Sequence, residues 1–331
     1  MTAVLITGGN GFLGSSVVRG LAAAGHAVTS ADLRVPADPV TGVDHVVLDV
    51  RDPAAVSAAV AQCRPEVVVH LASIVTPGKD SSRELERAVD VDGSRHVLDA
   101  CLAHGVRRLV VSSSGAAYGY HPDNGRAHGG WLTEDDPVRG NVEFAYSDHK
   151  RQVEEMLAIA RVEHPALEQV VLRIGTILGE RVDNQITALF ERPRLLKIRD
   201  ADSPFVFIWD TDVVAIIEQA VTGAATGVFN VAGDGALTIS EIAGLLGKRV
   251  LEIPEPTLRI ALMIGKRVGL TSYGPEQTRF LQFRPVLAND RLKEVFGYTP
   301  TRTSREAFDA WCTTGCTTGR TTGRTRAGGG R

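Results

Sequence analysis

Cysteine, net charge and long apolar runs are all scarce in this 331-residue chain, and each scarcity closes off a class of protein. Cys63, Cys101, Cys312 and Cys316 are too few for a disulfide framework at this length. The last two are spaced C-x-x-x-C, and no His or Asp cluster completes a coordination sphere, so neither a redox pair nor a metal centre is expected. A net charge of −3 gives no electrostatic reason to expect nucleic acid or an anionic membrane as partner. The stretch LRIALMIGKRVGL, residues 258–270, is too short and too charged to span a bilayer and reads as a packed helix. A strand begins almost at Met1, which leaves no room for a charged and apolar leader, and the expected compartment is the cytoplasm.

What is present is ordinary globular composition, 44% hydrophobic and 23% charged, in a length that suits one large α/β domain or a domain with a smaller companion. Apolar runs alternate with amphipathic stretches. AVLITG, HAVTSADL, DHVVLDV, EVVVHLAS, RRLVVSSS and EQVVLRIGTIL read as six strands, with helices over about 15–24, 54–61, 84–103 and 146–160 between them. Alternation of this kind predicts a Rossmann-type, doubly wound parallel sheet over residues 1–179. Beyond Gly179 a charged, proline-containing stretch spans 180–204, followed by a strand FVFIW, a helix over 212–221 and a strand GVFNVA. Thr238-Ile239-Ser240-Glu241 has capping-box spacing, and prolines then divide a run of short helices. Residues 180–311 are expected to form a smaller C-terminal α/β substrate domain that returns two elements to the sheet and walls a cleft. Residues 312–331 repeat Thr-Thr-Gly without apolar periodicity and are expected to be a disordered tail.

The run GGNGFLG between the first strand and helix parses in two ways. Gly9, Gly11 and Gly14 spell G-x-G-x-x-G, while Thr7 with Gly8, Gly11 and Gly14 spells T-G-x-x-G-x-x-G. In either parse a glycine turn lets backbone approach a pyrophosphate, whose charge sits on the free N–H groups of the helix. Asp32, ending the second strand, is placed to accept the adenosine ribose hydroxyls and to repel a 2'-phosphate, favouring NAD; Arg34 nearby leaves NADP open. Further on, Tyr146 and Lys150 lie four apart on one helical face, where an ammonium can help a phenol act as a base. Ser114, ending the fifth strand, can hydrogen-bond the same substrate oxygen. These three residues make a proton-transfer set.

The ordered set TGGNGFLG, LDVRD, HLAS, SSSGAAYG, YSDHK, LRIGTILG and FVFIWDTDVV resembles the extended short-chain dehydrogenase/reductase superfamily, the NAD-dependent epimerase/dehydratase group, over residues 3–311. The resemblance implies that Gly8, Gly11 and Gly14 bind the pyrophosphate with the backbone at Phe12 and Leu13 beside it. It implies Asp32 at the ribose, Asp49 and Val50 at the adenine, and Leu71 and Ala72 over the cofactor. Ser114 and Tyr146 would be catalytic, with Lys150 also holding the nicotinamide ribose. A homodimer through a helix bundle containing the Tyr146 helix is implied as well.

Two positions depart from the family pattern: Thr176 stands where nucleotide-sugar enzymes have asparagine after the LR motif, and Asp90 replaces an asparagine in VDVDGS. The segment 179–205 is also short for a nucleotide pocket. Arg192, Arg194, Arg279 and Arg284 lie in substrate-side segments, where they could grip a diphosphate or merely form salt bridges. The long loop 119–144 should border the substrate, with His121, His128 and Trp131 as candidate contacts. The leading expectation is an NAD(P)-dependent oxidoreductase acting on a secondary alcohol or ketone of a polar small molecule. A nucleotide-sugar epimerase or dehydratase with tightly bound NAD is the alternative within enzymes, and a non-catalytic NAD-sensing regulator the alternative outside them.

Overall fold

A computed structural model describes the chain except residues 79–80, 127–128, 181, 183, 271–273 and 318–331. Its first part runs β1 (Ala3–Thr7), α1 (Phe12–Ala23), β2 (Ala27–Asp32), β3 (Asp44–Val47), α2 (Pro53–Cys63) and β4 (Val67–His70). Next come α3 (Arg83–Arg87), a π-helical turn (Ala88–Asp92), α4 (Gly93–Ala103), β5 (Arg108–Ser114), α5 (Ala145–Glu163), β6 (Glu168–Ile174) and β7 (Thr176–Leu178). The remainder is α6 (Gln185–Glu191), β8 (Arg194–Ile198), β9 (Phe207–Trp209), α7 (Asp210–Thr222), β10 (Gly227–Val231), α8 (Ile239–Leu245), β11 (Arg249–Ile253), α9 (Glu255–Arg267), α10 (Gln277–Gln282) and α11 (Ser304–Thr317).

Seven parallel strands form the main sheet in the order β10-β6-β5-β4-β1-β2-β3. The strands read as continuous apolar runs because both faces are covered. Val4 and Ile6 of β1 join Val17 and Leu21 of α1 in one core, while Leu5 between them joins Val56 and Val60 of α2 in the other. Strand order reverses between β1 and β4, which opens a crevice at their carboxyl ends, where ligands of such sheets bind. Local chemistry fixes the helix starts. Asp52 accepts from the amides of Ala54 and Ala55 ahead of Pro53, and both halves of the Thr238–Glu241 capping box are formed. A third core, rich in aromatics, gathers Phe190, Phe205, Phe207, Phe308 and Trp311 around β9 and α11. β10 pairs with β6 in the main sheet and α7 packs on α1, so these later elements rejoin the first part of the chain.

Several expectations are corrected. The helix expected over 84–103 is interrupted by the π-helical turn. The strand EQVVLRIGTIL breaks at Gly175, and its second part pairs with β9 in a separate two-stranded sheet. Within the charged stretch 180–204 lie α6 and β8, the latter paired with β11. α11 continues through Thr317, past the expected tail boundary at 312, because Ala307, Phe308 and Trp311 anchor it to the aromatic core; the rest of the expected tail, 318–331, lies outside the described residues. α9 is not packed along its apolar length: only Leu258 is buried, and Ile260, Met263 and Ile264 face solvent. Cys63 and Cys101 are free thiols, and burial raises the Cys101 thiol to about 12.

Candidate active site

The glycine turn is built from backbone. Gly8 has φ +74°, a left-handed conformation, and a Cβ there would lie 2.6 Å from the Ala72 amide nitrogen. A Cβ on Gly14 would collide with the Gly8 carbonyl oxygen, which the Gly11 amide meets at 3.1 Å. A Cβ on Gly9 would meet only the side-chain hydroxyl of Ser30 at collision distance. Gly11 caps α1 with extended backbone, and no side chain caps the first turn at Phe12, Leu13 and Gly14, nor does an acid lie in it. These amides and the positive end of the helix remain free for an anion. Asp32 closes the turn from the far side: its Oδ2 accepts from the Asn10 amide at 2.9 Å and its Oδ1 from the Leu33 amide at 2.7 Å. The Asn10 side chain donates to the Arg34 carbonyl, while the Arg34 side chain is exposed. Asp49 is held by Arg51, whose guanidinium lowers the carboxyl below its usual range. Val50 is buried against Gly93 and its carbonyl lies 2.9 Å from His96 Nδ1. Leu71 and Ala72 follow β4, with the Leu71 amide donating to the Thr7 carbonyl.

Beneath this turn a directional chain of hydrogen bonds crosses from β1 to α4. Ser94 Oγ donates its only proton to the Asp90 carbonyl, so it accepts from His70 Nε2–H at 2.9 Å. His70 Nδ1 is then the acceptor of the Thr7 hydroxyl at 2.7 Å. Burial, and next the Lys150 ammonium, lower His70 to about 3, so the ring is neutral as this chain requires. Asp90, the departure from the family pattern, is buried with its Oδ1 accepting from the Ile74 amide at 2.8 Å and its Oδ2 from His149 Nδ1 at 3.2 Å. A carboxylate donates nothing here, and His149 supplies the second donor it needs.

Helix α5 carries Tyr146 and Lys150 to the end of β5. Tyr146 lies in its first turn, and Lys150 Nζ, buried one turn on, stands 5.6 Å from the Tyr146 ring centre. Lys150 donates to the Ser112 carbonyl at 2.9 Å, which fixes the ammonium at the end of β5. Ser114 ends that strand, its hydroxyl accepting from the Ala116 amide at 3.2 Å. Arg173 of β6 and Glu154 of α5 form a buried pair at 2.7 Å behind this set, locking helix to sheet.

Of the substrate-side arginines only Arg284 is drawn inward. Arg279 pairs with Glu143 at 2.8 Å, and Arg192 and Arg194 are exposed. Arg284 lies over the Phe205 ring at 3.8 Å and 5.0 Å from the Phe280 ring centre, and donates to the Ser203 carbonyl at 2.9 Å. Its Nε is sealed from solvent without a partner, and burial lowers the guanidinium from its usual range. Tyr120, which sequence reasoning passed over in favour of its neighbour His121, stands beside it. Tyr120 is edge-on to Phe144 at 5.0 Å and to Phe280 at 5.3 Å, with the Tyr146 hydroxyl in electrostatic reach. Burial raises the Tyr120 phenol above its usual range. Only the placement of Tyr120 directly after the SSSGAAYG block hinted at it. His121 is spent on the Gly140 carbonyl at 2.8 Å, Trp131 packs with a small core around Leu132, and His128 lies outside the described residues.

A Rossmann sheet with serine, tyrosine and lysine gathered at its carboxyl edge defines an extended short-chain dehydrogenase/reductase. The profile of the NAD dependent epimerase/dehydratase family matches residues 4–232, and the chain belongs to that family. NAD is accordingly its cofactor, and the bare glycine turn, uncapped α1 amides and Asp32 fit it. A 3-diazoavenalumate denitrifying reductase from a Streptomyces species is 28% identical over 310 residues, covering 91% of this chain and 97% of that protein. A 2-alkyl-3-oxoalkanoate reductase of Stenotrophomonas maltophilia is 31% identical over 199 residues, 59% of this chain and 57% of that protein. Among solved structures, UDP-glucose 4-epimerase of Thermus thermophilus, crystallised with NAD, shares the fold at TM-score 0.70 and 24% identity, over 94% of this chain and 98% of that one.

Proposed function

We propose that the protein is an NAD-dependent oxidoreductase that interconverts a secondary alcohol and a ketone on a substrate bearing an anionic group. The observation that carries the reading is the pair of Tyr146 and Lys150, the latter fixed on the Ser112 carbonyl of the strand that ends at Ser114. Gly8, Gly11 and Gly14 with the Phe12 and Leu13 amides hold the pyrophosphate, and Asp32 the ribose. NAD supplies, when bound, the hydride acceptor for the alcohol carbon. Tyr146 takes the alcohol proton as that carbon is oxidised, and returns it to the carbonyl oxygen in reduction. Lys150 stabilises the phenolate by its charge, and Ser114 donates to the substrate oxygen, where negative charge develops. Arg284, a cation sealed between two phenylalanine rings with an unpartnered Nε, supports an anionic substrate group near Tyr120. The two reductases among the relatives support net redox chemistry.

The test is turnover of reduced nicotinamide with a panel of oxo acids and their alcohols. A net absorbance change is expected, and Tyr146→Phe should lower kcat by roughly 10²–10⁴-fold with NAD binding kept. No net change with any carbonyl, combined with conversion of a UDP- or dTDP-sugar, would replace this reading with the epimerase or dehydratase one.

A further inference from the structure

Helix α9 turns its apolar residues outward. Leu258 is buried against the body, whereas Ile260, Met263 and Ile264 are 53%, 53% and 55% exposed, and Leu270 just beyond the helix is 85% exposed. A surface helix ordinarily shows the reverse arrangement. Clustered apolar exposure of this kind marks an interaction surface. Beyond its first turn, which carries Glu255, the helix holds Arg259, Lys266 and Arg267, all exposed, and no further acid. Lys266 reaches Glu276 at 3.5 Å, and neither Arg259 nor Arg267 forms an ion pair among the described residues.

We propose that α9 docks the protein on an anionic lipid surface. Ile260, Met263 and Ile264 enter the boundary between head groups and acyl chains, while Arg259, Lys266 and Arg267 meet the lipid phosphates. The net charge of the chain is −3, so this attraction belongs to the one face and not to the molecule. A second copy fits the face less well, since a two-fold contact would set the same three bases against themselves. The place of α9 gives docking a consequence. Its inner side packs on α10, whose Phe280 stands edge-on to Tyr120, so α10 connects the docked helix to the residues proposed to meet substrate. The inference goes beyond the oxidoreductase reading and stands without it.

Co-sedimentation of the full chain with vesicles of phosphatidylglycerol and phosphatidylcholine tests this, with pure phosphatidylcholine vesicles alongside. The parent protein should pellet with the anionic vesicles and stay in solution with the neutral ones. Ile260→Ser with Met263→Ser and Ile264→Ser should weaken partition at least about tenfold, and so should Arg259→Gln with Lys266→Gln and Arg267→Gln. The thermal shift given by NAD, unchanged in both variants, shows that they fold. Parent protein left in solution with anionic vesicles overturns the proposal. So does equal pelleting of the variants, which places any lipid affinity elsewhere, such as the arginine-bearing segment 318–331. A fall in oligomer size on the serine substitutions, read by light scattering, also overturns it, because a second copy then covers the face.

Discussion

Gly9 and Gly14 differ in what a methyl group would strike. At Gly14 it meets the backbone oxygen of Gly8, which cannot move without undoing the turn, whereas at Gly9 it meets the Ser30 hydroxyl, which can rotate. Gly14→Ala should therefore weaken NAD binding by at least about tenfold and Gly9→Ala by less, as measured by titration calorimetry. The reverse order would restore the G-x-G-x-x-G parse. His70 makes a second prediction at this scale. The ring is protonated near pH ~6.5 in the unfolded chain but only at about 3 in the buried chain from Thr7 to Ser94. Between those values the unfolded state binds more protons, so the contribution of His70 to stability is whole above pH ~6.5 and is lost as pH falls toward 3. The slope from this group is up to about 1.4 kcal/mol per pH unit. Urea midpoints at pH 7 and 5 should fall further apart in the parent than in His70→Asn; equal separations would contradict the assignment. Where the glycines, Asp32, Ser114, Tyr146 and Lys150 lie in the fold was legible in the sequence, because each sits at a fixed offset from a strand end or along one helix.

Helix α5 is fixed on two sides by buried ionisable groups that have little meaning as single residues. Arg173 and Glu154 lock it to β6, and His149 ties it through Asp90 to the segment after β4 that holds Ala72. His149→Leu would leave the Asp90 carboxylate buried with one donor, at a cost of about 3–5 kcal/mol in urea unfolding. Asp90→Asn should cost less than about 1.5 kcal/mol, since an amide still accepts from Ile74 and can donate to the other ring tautomer. The double variant should recover part of the His149→Leu loss, and strict additivity would deny the coupling. The π-helical turn that aims Asp90 inward was hidden in the sequence, where 84–103 reads as one uninterrupted helix. One extra residue per turn changes no residue type, only which side faces the sheet.

At the scale of the whole molecule, the proposed substrate pocket draws on residues far apart in the chain: Tyr120, Phe144, Ser203, Phe205, Phe280 and Arg284. Arg284→Met should raise KM for an anionic ketone by roughly 100-fold while kcat stays within a few-fold, because one charge-assisted contact is lost outside the reacting atoms. An equal rise for a neutral ketone would assign Arg284 to packing alone. Alternating apolar runs, turn glycines and short-range spacings determined by sequence alone the parallel sheet, the glycine turn and the tyrosine–lysine pair, because each depends on neighbours within one or two elements. Four near-equivalent arginines could not be told apart in that way. Only the tertiary structure decided that Arg284 enters between two rings while Arg279 is spent on Glu143, and that the apolar side of α9 faces outward. Burial and partner choice are set by what the rest of the fold packs against a residue, and no local spacing carries that information.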